Sequence, residues 1–480
     1  MSRAESERYD LVVVGAGLAG LTAATRAAEL GLRCAVLEKG TAPDYLCNTR
    51  LTGGFFHVCR ENMLAPSAEM RARILSATRG QTDSTLVDAL VGDSERTLRW
   101  LIQQGVRFIS AGPAGKRNNL LAPPAVRRPG LNNWKGRAGD VLLRTLEERL
   151  KQNGGVLWRD MRATELLMRE GGCNGVLATS NGIARRFESA AVVIADGGFQ
   201  GDLEQVRRHL SPAPDRVMQR NAGTGCGDGA RMAHAVGARL VGMNRFYGHL
   251  LHRNAMTSDR FWPYPTLDFL ASGAIVVDGH GRRFVDEGYG GTHIANAVAA
   301  LADPLSATIV FDSAIWEGPG RDYELPPNPH VVEAGGAPIQ APALRDLEVR
   351  LSLPPDALRR TVTEYNERLA QGAPDRLVPA RSSHAFKPWP IEKPPFMAMP
   401  LCAGLTYTMG GIATDADGKA LREDGTPIPG LFAAGCATGG LEGGDYTGYT
   451  GGLSKSAVFG LRAGECAARS IQNGALIAAH

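Results

Sequence analysis

Residues 10–38 read DLVVVGAGLAGLTAATRAAELGLRCAVLE, and this stretch decides the fold. The β-branched run at 11–14 is the mark of a strand buried on both faces, as in a parallel sheet. Gly15-Ala16-Gly17-Leu18-Ala19-Gly20 follows at once, and the alanine-rich sequence after it predicts a helix over 21–30 that stops at Gly31. A second apolar run at 34–37 ends on Glu38, 18 residues past Gly20. Strand, glycine turn, helix, strand and acid in register form a βαβ dinucleotide-binding unit. Gly15 permits the tight turn, Gly17 lets the backbone approach a pyrophosphate, and Gly20 lets helix and strand pack closely. The helix N-terminus presents free N–H groups to phosphates. Glu38, with Lys39 beside it, is placed to accept hydrogen bonds from ribose hydroxyls.

This unit alone does not choose between FAD and NAD, so the rest of the chain has to. A helix is expected over 140–153, strands near 156–158 and 164–168, and then Gly175-Val176-Leu177-Ala178. A strand over 190–195 runs through Ala195 into Asp196-Gly197-Gly198-Phe199, and Gly223-Thr224-Gly225-Cys226-Gly227-Asp228-Gly229 opens a helix ending near Gly237. These read as further βα turns of a doubly wound α/β domain. From about residue 245 the sequence turns aromatic- and proline-rich, as in Phe261-Trp262-Pro263-Tyr264-Pro265, with a polar helix over 356–371. We read 1–244 as the first part of the dinucleotide domain, 245–392 as an inserted domain and 393–480 as the return. Near the end, Gly430-Leu431-Phe432-Ala433-Ala434-Gly435 gives a strand and a small-residue stop. Gly451-Gly452-Leu453-Ser454 then opens a last helix reaching about residue 470.

Composition narrows the function classes. With 480 residues, 44% hydrophobic and 21% charged, the chain can bury a large core. A formal net charge of +4 gives no reason to expect nucleic acid or an anionic membrane as partner. The stretch MSRAESERYD lacks an export signal and no transmembrane run is present, so a cytoplasmic address is expected. The eight cysteines form no C-x-x-C pair, which argues against zinc, iron–sulfur and c-type haem sites and leaves no metal expected. Oligomeric state leaves no signal.

Six motifs in order carry a family resemblance. They are GAGLAG with Glu38, Asn48-Thr49-Arg50-Leu51-Thr52-Gly53-Gly54, Ala195 to Phe199 and Gly223 to Gly229. Gly281-Arg282-Arg283-Phe284-Val285-Asp286-Glu287 and Thr408-Met409-Gly410-Gly411 with the Pro-Gly-Leu-Phe-Ala-Ala-Gly run complete the set. The chain resembles the flavoproteins that include fumarate reductase, succinate dehydrogenase, 3-ketosteroid dehydrogenase and tricarballylate dehydrogenase. The loop at 48–54 is most similar to the tricarballylate dehydrogenase-like subgroup. The resemblance implies a doubly wound Rossmann-like FAD-binding domain with an inserted α+β capping domain. It also implies hydride exchange between flavin N5 and a carbon–carbon bond beside a carbonyl or carboxylate of a small molecule. The second electron partner stays unidentified. The residues it implies at FAD are Gly15, Ala16, Gly17, Leu18, Ala19, Gly20, Glu38, Lys39, Asn48, Thr49, Arg50, Thr52, Gly53, Gly54, Ala195, Gly197, Gly198, Thr224, Asp228, Gly435, Gly452, Leu453 and Ser454. The last helix is expected to meet the flavin's pyrimidine end.

Departures from the family matter as much. The arginine that delivers the proton in fumarate reductases has Gly291 in its place, and the Phe-His-Pro-Thr motif of succinate dehydrogenases is missing. The histidine used for covalent flavin attachment is replaced by Cys47, so noncovalent FAD is expected.

For the chemistry, Tyr446 and Tyr449 stand in the glycine-rich loop before the last helix, where a phenol can polarise a carbonyl while staying neutral. Packing in a tight turn is the competing reading. His249 and His252 suit proton transfer, or are satisfied structural histidines. Arg50, Arg245 and Arg253 could grip a carboxylate in two-pronged fashion, as could Arg283, for which an ion pair with Glu287 is the favoured alternative. The basic residues Lys116, Arg117, Arg127, Arg128, Lys135 and Arg137 read as a solvated loop. A 3-ketosteroid dehydrogenase-like desaturase is an alternative within the enzyme class, and a non-catalytic flavin sensor or assembly factor is an alternative outside it.

Overall fold

The computed structural model describes residues 6–112, 117–125, 131–322 and 325–478; Lys116, Arg127 and Arg128 of the basic run, and residues 1–5, lie outside them. A six-stranded sheet runs in the order Lys419–Leu421, Pro427–Ala433, Ala191–Ile194, Leu11–Val14, Cys34–Leu37, Val156–Trp158. Its strands are parallel apart from the hairpin at the first edge. The strands Leu11–Val14, Cys34–Leu37 and Ala191–Ile194 are buried at every position, which is why they read as unbroken apolar runs.

The helix Leu18–Glu29 lies against the last helix, Gly452–Ala478. A Cβ at Gly460 would stand 2.5 Å from Ala19 O and one at Gly464 2.4 Å from Ala23 O, so the alanines and glycines are there for close approach as well as for helix propensity.

The segment after Val156–Trp158 departs from expectation. Arg162–Arg169 and Gly172–Ser180 do not return to the parallel sheet. They form a separate four-stranded sheet with Ile183–Glu188 and Ser6–Arg8. Arg162–Arg169 mixes exposed with buried positions, a pattern that serves a one-faced antiparallel hairpin better than a strand covered on both sides.

The second body is built on one long strand, Phe396–Thr408. It pairs with Met218–Gln219, Phe246–His252, Thr308–Asp312 and Ile339–Ala341. A core of its own includes Leu250, Ile275, Phe311, Val362 and Leu401, and it also takes in Phe199, Val206 and Val217. The expected boundaries at 244 and 393 therefore do not coincide with the pairing. The chain rejoins the six-stranded sheet only with the hairpin Lys419–Leu421 and Pro427–Ala433, because the long strand belongs to the second sheet first. Among the described residues no helix is long and apolar enough to cross a membrane.

Candidate active site

A cleft opens at the ends of the parallel strands, lined by the glycine turn, Glu38, Asn48, Thr49, Gly197, Gly198, Thr224 and Asp228. The three glycines differ in what demands them. Gly15 has φ +97° and a Cβ there would lie 2.6 Å from Asp196 Cα, while one on Gly20 would lie 1.9 Å from Gly15 O. Gly17 is under no such pressure, since the nearest atom to a Cβ there is Thr49 Oγ1 at 3.6 Å. The protein leaves room at Gly17 that its own packing does not use, and a pyrophosphate at the N-terminus of Leu18–Glu29 fits it. Glu38 is 8% exposed. Its carboxylate accepts from Ala16 N at 3.1 Å and Gly40 N at 2.8 Å, which fixes it at the mouth of the turn.

Two buried oxygens in the cleft, Asp196 Oδ1 and Gln200 Oε1, have no partner. Burial pushes the Asp196 carboxyl up to about 6. Lys39 and Arg162 both reach Asp228, at 3.4 and 2.9 Å, and bring two cations to the cleft wall. These features fit an adenine dinucleotide. Arg162, Gln200, Cys436 and Ser456 line the cleft without having been expected from sequence.

The loop at 48–54 is pinned from several sides. Asn48 Nδ2 donates to Thr406 O at 2.9 Å while its Oδ1 accepts from Ala222 N at 2.9 Å. Thr49 Oγ1 accepts from Leu18 N at 3.1 Å, and Thr52 Oγ1 from Gly54 N at 3.1 Å. Arg50 does not act as a free cation. It is 1% exposed, pairs with Asp140, and lies 4.6 Å from the Tyr45 ring and 5.5 Å from Trp134. It anchors the loop from behind, so the expectation that it grips substrate is corrected. Burial pushes the neighbouring Cys47 thiol up to about 11, leaving it protonated and a poor nucleophile.

Where the two bodies meet, the strand Phe246–His252 buries Phe246 and Leu250 in the second core and turns the half-buried Tyr247 and His249 to the opposite face. There the Tyr247 ring stacks on Tyr449 with centroids 3.9 Å apart and planes 12° from parallel. Tyr247 Oη lies 2.8 Å from His249 Nε2, and His249 Nδ1 pairs with Asp268. Tyr449 Oη accepts from Gly452 N, the first amide of the last helix, at 3.4 Å. Beneath it, Glu442 accepts from Tyr407 Oη at 3.1 Å and from Thr450 N at 2.8 Å, and pairs with the wholly buried Lys455 at 3.4 Å. The Tyr449 phenol thus stands at the N-terminus of the last helix, a place where developing negative charge is stabilised, with Tyr247, His249 and Asp268 linked to it in turn.

A family model described as FAD binding domain matches residues 10–451. The chain belongs to this FAD-binding family. This flavoprotein is 25% identical over 476 residues to the vinyl phenol reductase of Lactiplantibacillus plantarum, covering 93% of each chain. It is 25% identical over 474 residues to the NADH:fumarate oxidoreductase of Klebsiella pneumoniae, of which it spans 48%, about half the length. The solved structure of 3-ketosteroid-delta4-(5alpha)-dehydrogenase from Rhodococcus jostii RHA1 matches it with a TM-score of 0.73 at 23% identity, over 98% of both chains, which shows a shared mixed α/β fold.

Several expected site residues of the flavoprotein lie elsewhere. His252 stacks on Phe261 at 4.9 Å, accepts from Asn254 N at 3.2 Å and is 6% exposed, so it is a packed histidine of the second body. Tyr446 belongs to a separate cluster with Tyr289 at 4.4 Å and the Arg79 guanidinium at 4.9 Å. Arg283 pairs with Glu287 at 2.5 Å and donates to Pro379 O at 2.8 Å, a buried pin within the second body. Arg253 donates to Ala307 O at 3.4 Å and Arg245 to Gly444 O at 2.9 Å. Gly53 approaches Tyr264, with 3.7 Å between a Cβ there and Tyr264 Oη. Gly435 has φ +73° and a Cβ there would stand 2.8 Å from Ala19 Cβ, while one on Gly452 would stand 3.0 Å from the Tyr407 ring. Leu453 packs against the first body's core and Ser454 Oγ is buried without a partner.

Sequence reasoning missed Tyr247, Asp268, Tyr407, Glu442 and Lys455. Two of them left a signal. Tyr247 is two residues from His249 in a strand and must share its face, and Lys455 is the one charge in the small, apolar first turns at 452–461.

Proposed function

We propose that this flavoprotein is an FAD-dependent oxidoreductase that adds or removes hydrogen across a carbon–carbon bond beside a carbonyl or carboxylate of a small organic molecule. Family membership supports FAD, and the parallel sheet with its glycine cleft is read as a doubly wound Rossmann-like domain. The sheet around Phe396–Thr408 and its helices are read as a capping domain. Held noncovalently, FAD supplies a hydride donor and acceptor at N5. The observation that carries the reading is the meeting of Tyr449 with His249 through Tyr247, at the first turn of the helix expected to reach the flavin. Tyr449 is assigned the polarising role, because its phenol donates to a carbonyl oxygen without carrying charge. His249, its ring held between Tyr247 and Asp268, is assigned a part in moving the proton. The vinyl phenol reductase and the fumarate oxidoreductase are named for compounds with a conjugated C=C bond, which is the substrate class proposed here.

Within that class a ketone- or enone-type substrate is favoured over a dicarboxylate. Each of the four arginines expected to grip a carboxylate has at least one protein partner, and Arg50 and Arg283 are buried. An electron donor or acceptor of unidentified chemistry completes the cycle. Eight free cysteines suit a cytoplasmic address. The test is an anaerobic screen of FAD-loaded protein against enones, vinyl phenols and small unsaturated acids. Reoxidation of reduced flavin by at least one of them is expected, and inertness to the whole panel would favour the non-catalytic alternative.

A further inference from the structure

The place of the fumarate reductase arginine is taken up here by something else. A Cβ on Gly291 would stand 2.2 Å from Asp268 Cγ and 2.3 Å from Asp268 Oδ1, so a side chain at 291 and the Asp268 carboxylate exclude each other. Asp268 is held at two points by one strand: its Oδ1 accepts from Leu250 N at 2.8 Å, and its Oδ2 faces His249 Nδ1. A carboxylate at Nδ1 fixes the neutral imidazole as the Nδ1–H tautomer and makes Nε2 an acceptor. The group at Nε2 is the Tyr247 phenol at 2.8 Å, which therefore donates its proton inward. Tyr247 lies flat on Tyr449, the residue assigned to the substrate carbonyl, so its oxygen stands beside the group that polarises the substrate.

Resting on the function proposed above, we propose that Tyr247 is the catalytic phenol that exchanges the proton with the substrate carbon. His249 takes over the phenol's proton, Asp268 is the positioning residue that holds His249, and Gly291 is the glycine that gives Asp268 its room. In dehydrogenation Tyr247 Oη takes the proton from the carbon next to the carbonyl as its own O–H proton passes to His249 Nε2. The resulting imidazolium is stabilised by the Asp268 carboxylate. The electron pair of the broken C–H bond becomes the second bond of the C=C as a hydride leaves the neighbouring carbon to oxidised FAD. Reduction runs the same transfers in reverse. The division of labour is that of a nucleophile–histidine–carboxylate triad with a phenol in the outer position.

The test uses FAD-loaded protein carrying ¹⁵N-histidine. The His249 resonance is expected as the Nδ1–H tautomer with a strongly downfield proton. That proton should disappear in Asp268→Asn and in Gly291→Ala, and survive in Asp268→Glu and Tyr247→Phe. An Nε2–H tautomer in the wild type, or a resonance unmoved by Asp268→Asn, overturns the relay without reference to any substrate. Kinetically, reduced enzyme is mixed in turn with 4-vinylphenol, fumarate and 4-androstene-3,17-dione. On whichever reoxidises the flavin, Tyr247→Phe should be slower by about a hundredfold or more, with FAD content unchanged. Equal rates overturn the role of Tyr247. If the wild type is inert to all three, the proposed function fails while the resonance still decides the relay.

Discussion

The rings of Tyr247 and Tyr449 lie 3.9 Å apart and nearly parallel, although one sits on a strand of the second sheet and the other in the glycine-rich loop before the last helix. This contact joins the two bodies at the point where the chemistry is assigned. Removing only the Tyr449 hydroxyl keeps the stack and loses the donor. Tyr449→Phe should therefore slow flavin reduction or reoxidation by substrate at least tenfold, about 1.4 kcal/mol of barrier, with Tm unchanged. Unchanged kinetics by stopped flow would remove Tyr449 from the mechanism.

The three glycines of the turn should separate in their effects. Gly20→Ala forces a carbon against Gly15 O and should lower Tm in the absence of FAD. Gly17→Val places its Cβ in ordinary contact with Thr49 Oγ1, at 3.6 Å, so it should fold normally but retain little FAD after purification. Equal FAD content in Gly17→Val and wild type would contradict the placement of the pyrophosphate.

Lys455 and Glu442 form a wholly buried pair. Lys455→Met leaves the Glu442 charge uncompensated and should cost about 3–5 kcal/mol in urea unfolding. The double variant Lys455→Met, Glu442→Gln should recover much of that loss. A double variant as unstable as the single one would show that the pair is not what the first substitution breaks.

Burial pushes His57, His252 and His293 down from the ordinary 6.5 to about 4. Each is neutral in the fold and takes up a proton on unfolding between those values. The unfolded chain then binds more protons, so their contribution is complete above pH 6.5 and is lost as pH falls toward 4. Asp196, raised to about 6, works in the opposite sense, and three histidines outweigh it. Tm should fall as pH is lowered through this window, and a flat profile would contradict the assignment.

Acid precipitation should release the flavin into solution, because the Cys47 thiol is held protonated by burial. Colour retained in the precipitate would mean a covalent bond.

The glycine turn was legible in the sequence because the need for Gly20 is local, set by Gly15 O within the same turn, and the positive φ of Gly15 belongs to the turn itself, whereas the closeness of Gly15 to Asp196 appears only in the fold. The fate of Arg50 was not, since its partner Asp140 is 90 residues away and only the fold brings them together. The same holds for Gly291, whose absent side chain means nothing until Asp268 is seen occupying the space. The second sheet was hidden because Phe396–Thr408 gathers partners from several distant segments, and no local pattern announces such pairing. His249 and His252 are equally apolar in setting as sequence, yet one has a carboxylate opposite and the other a phenylalanine.

The most direct measurement is anaerobic mixing of FAD-loaded, dithionite-reduced protein with conjugated enones and vinyl phenols while the flavin absorbance is followed. The account predicts that the oxidised flavin band returns with at least one of them, with one saturated product formed per flavin. Protein that holds no FAD, or reduced flavin that none of these compounds reoxidises, would contradict it.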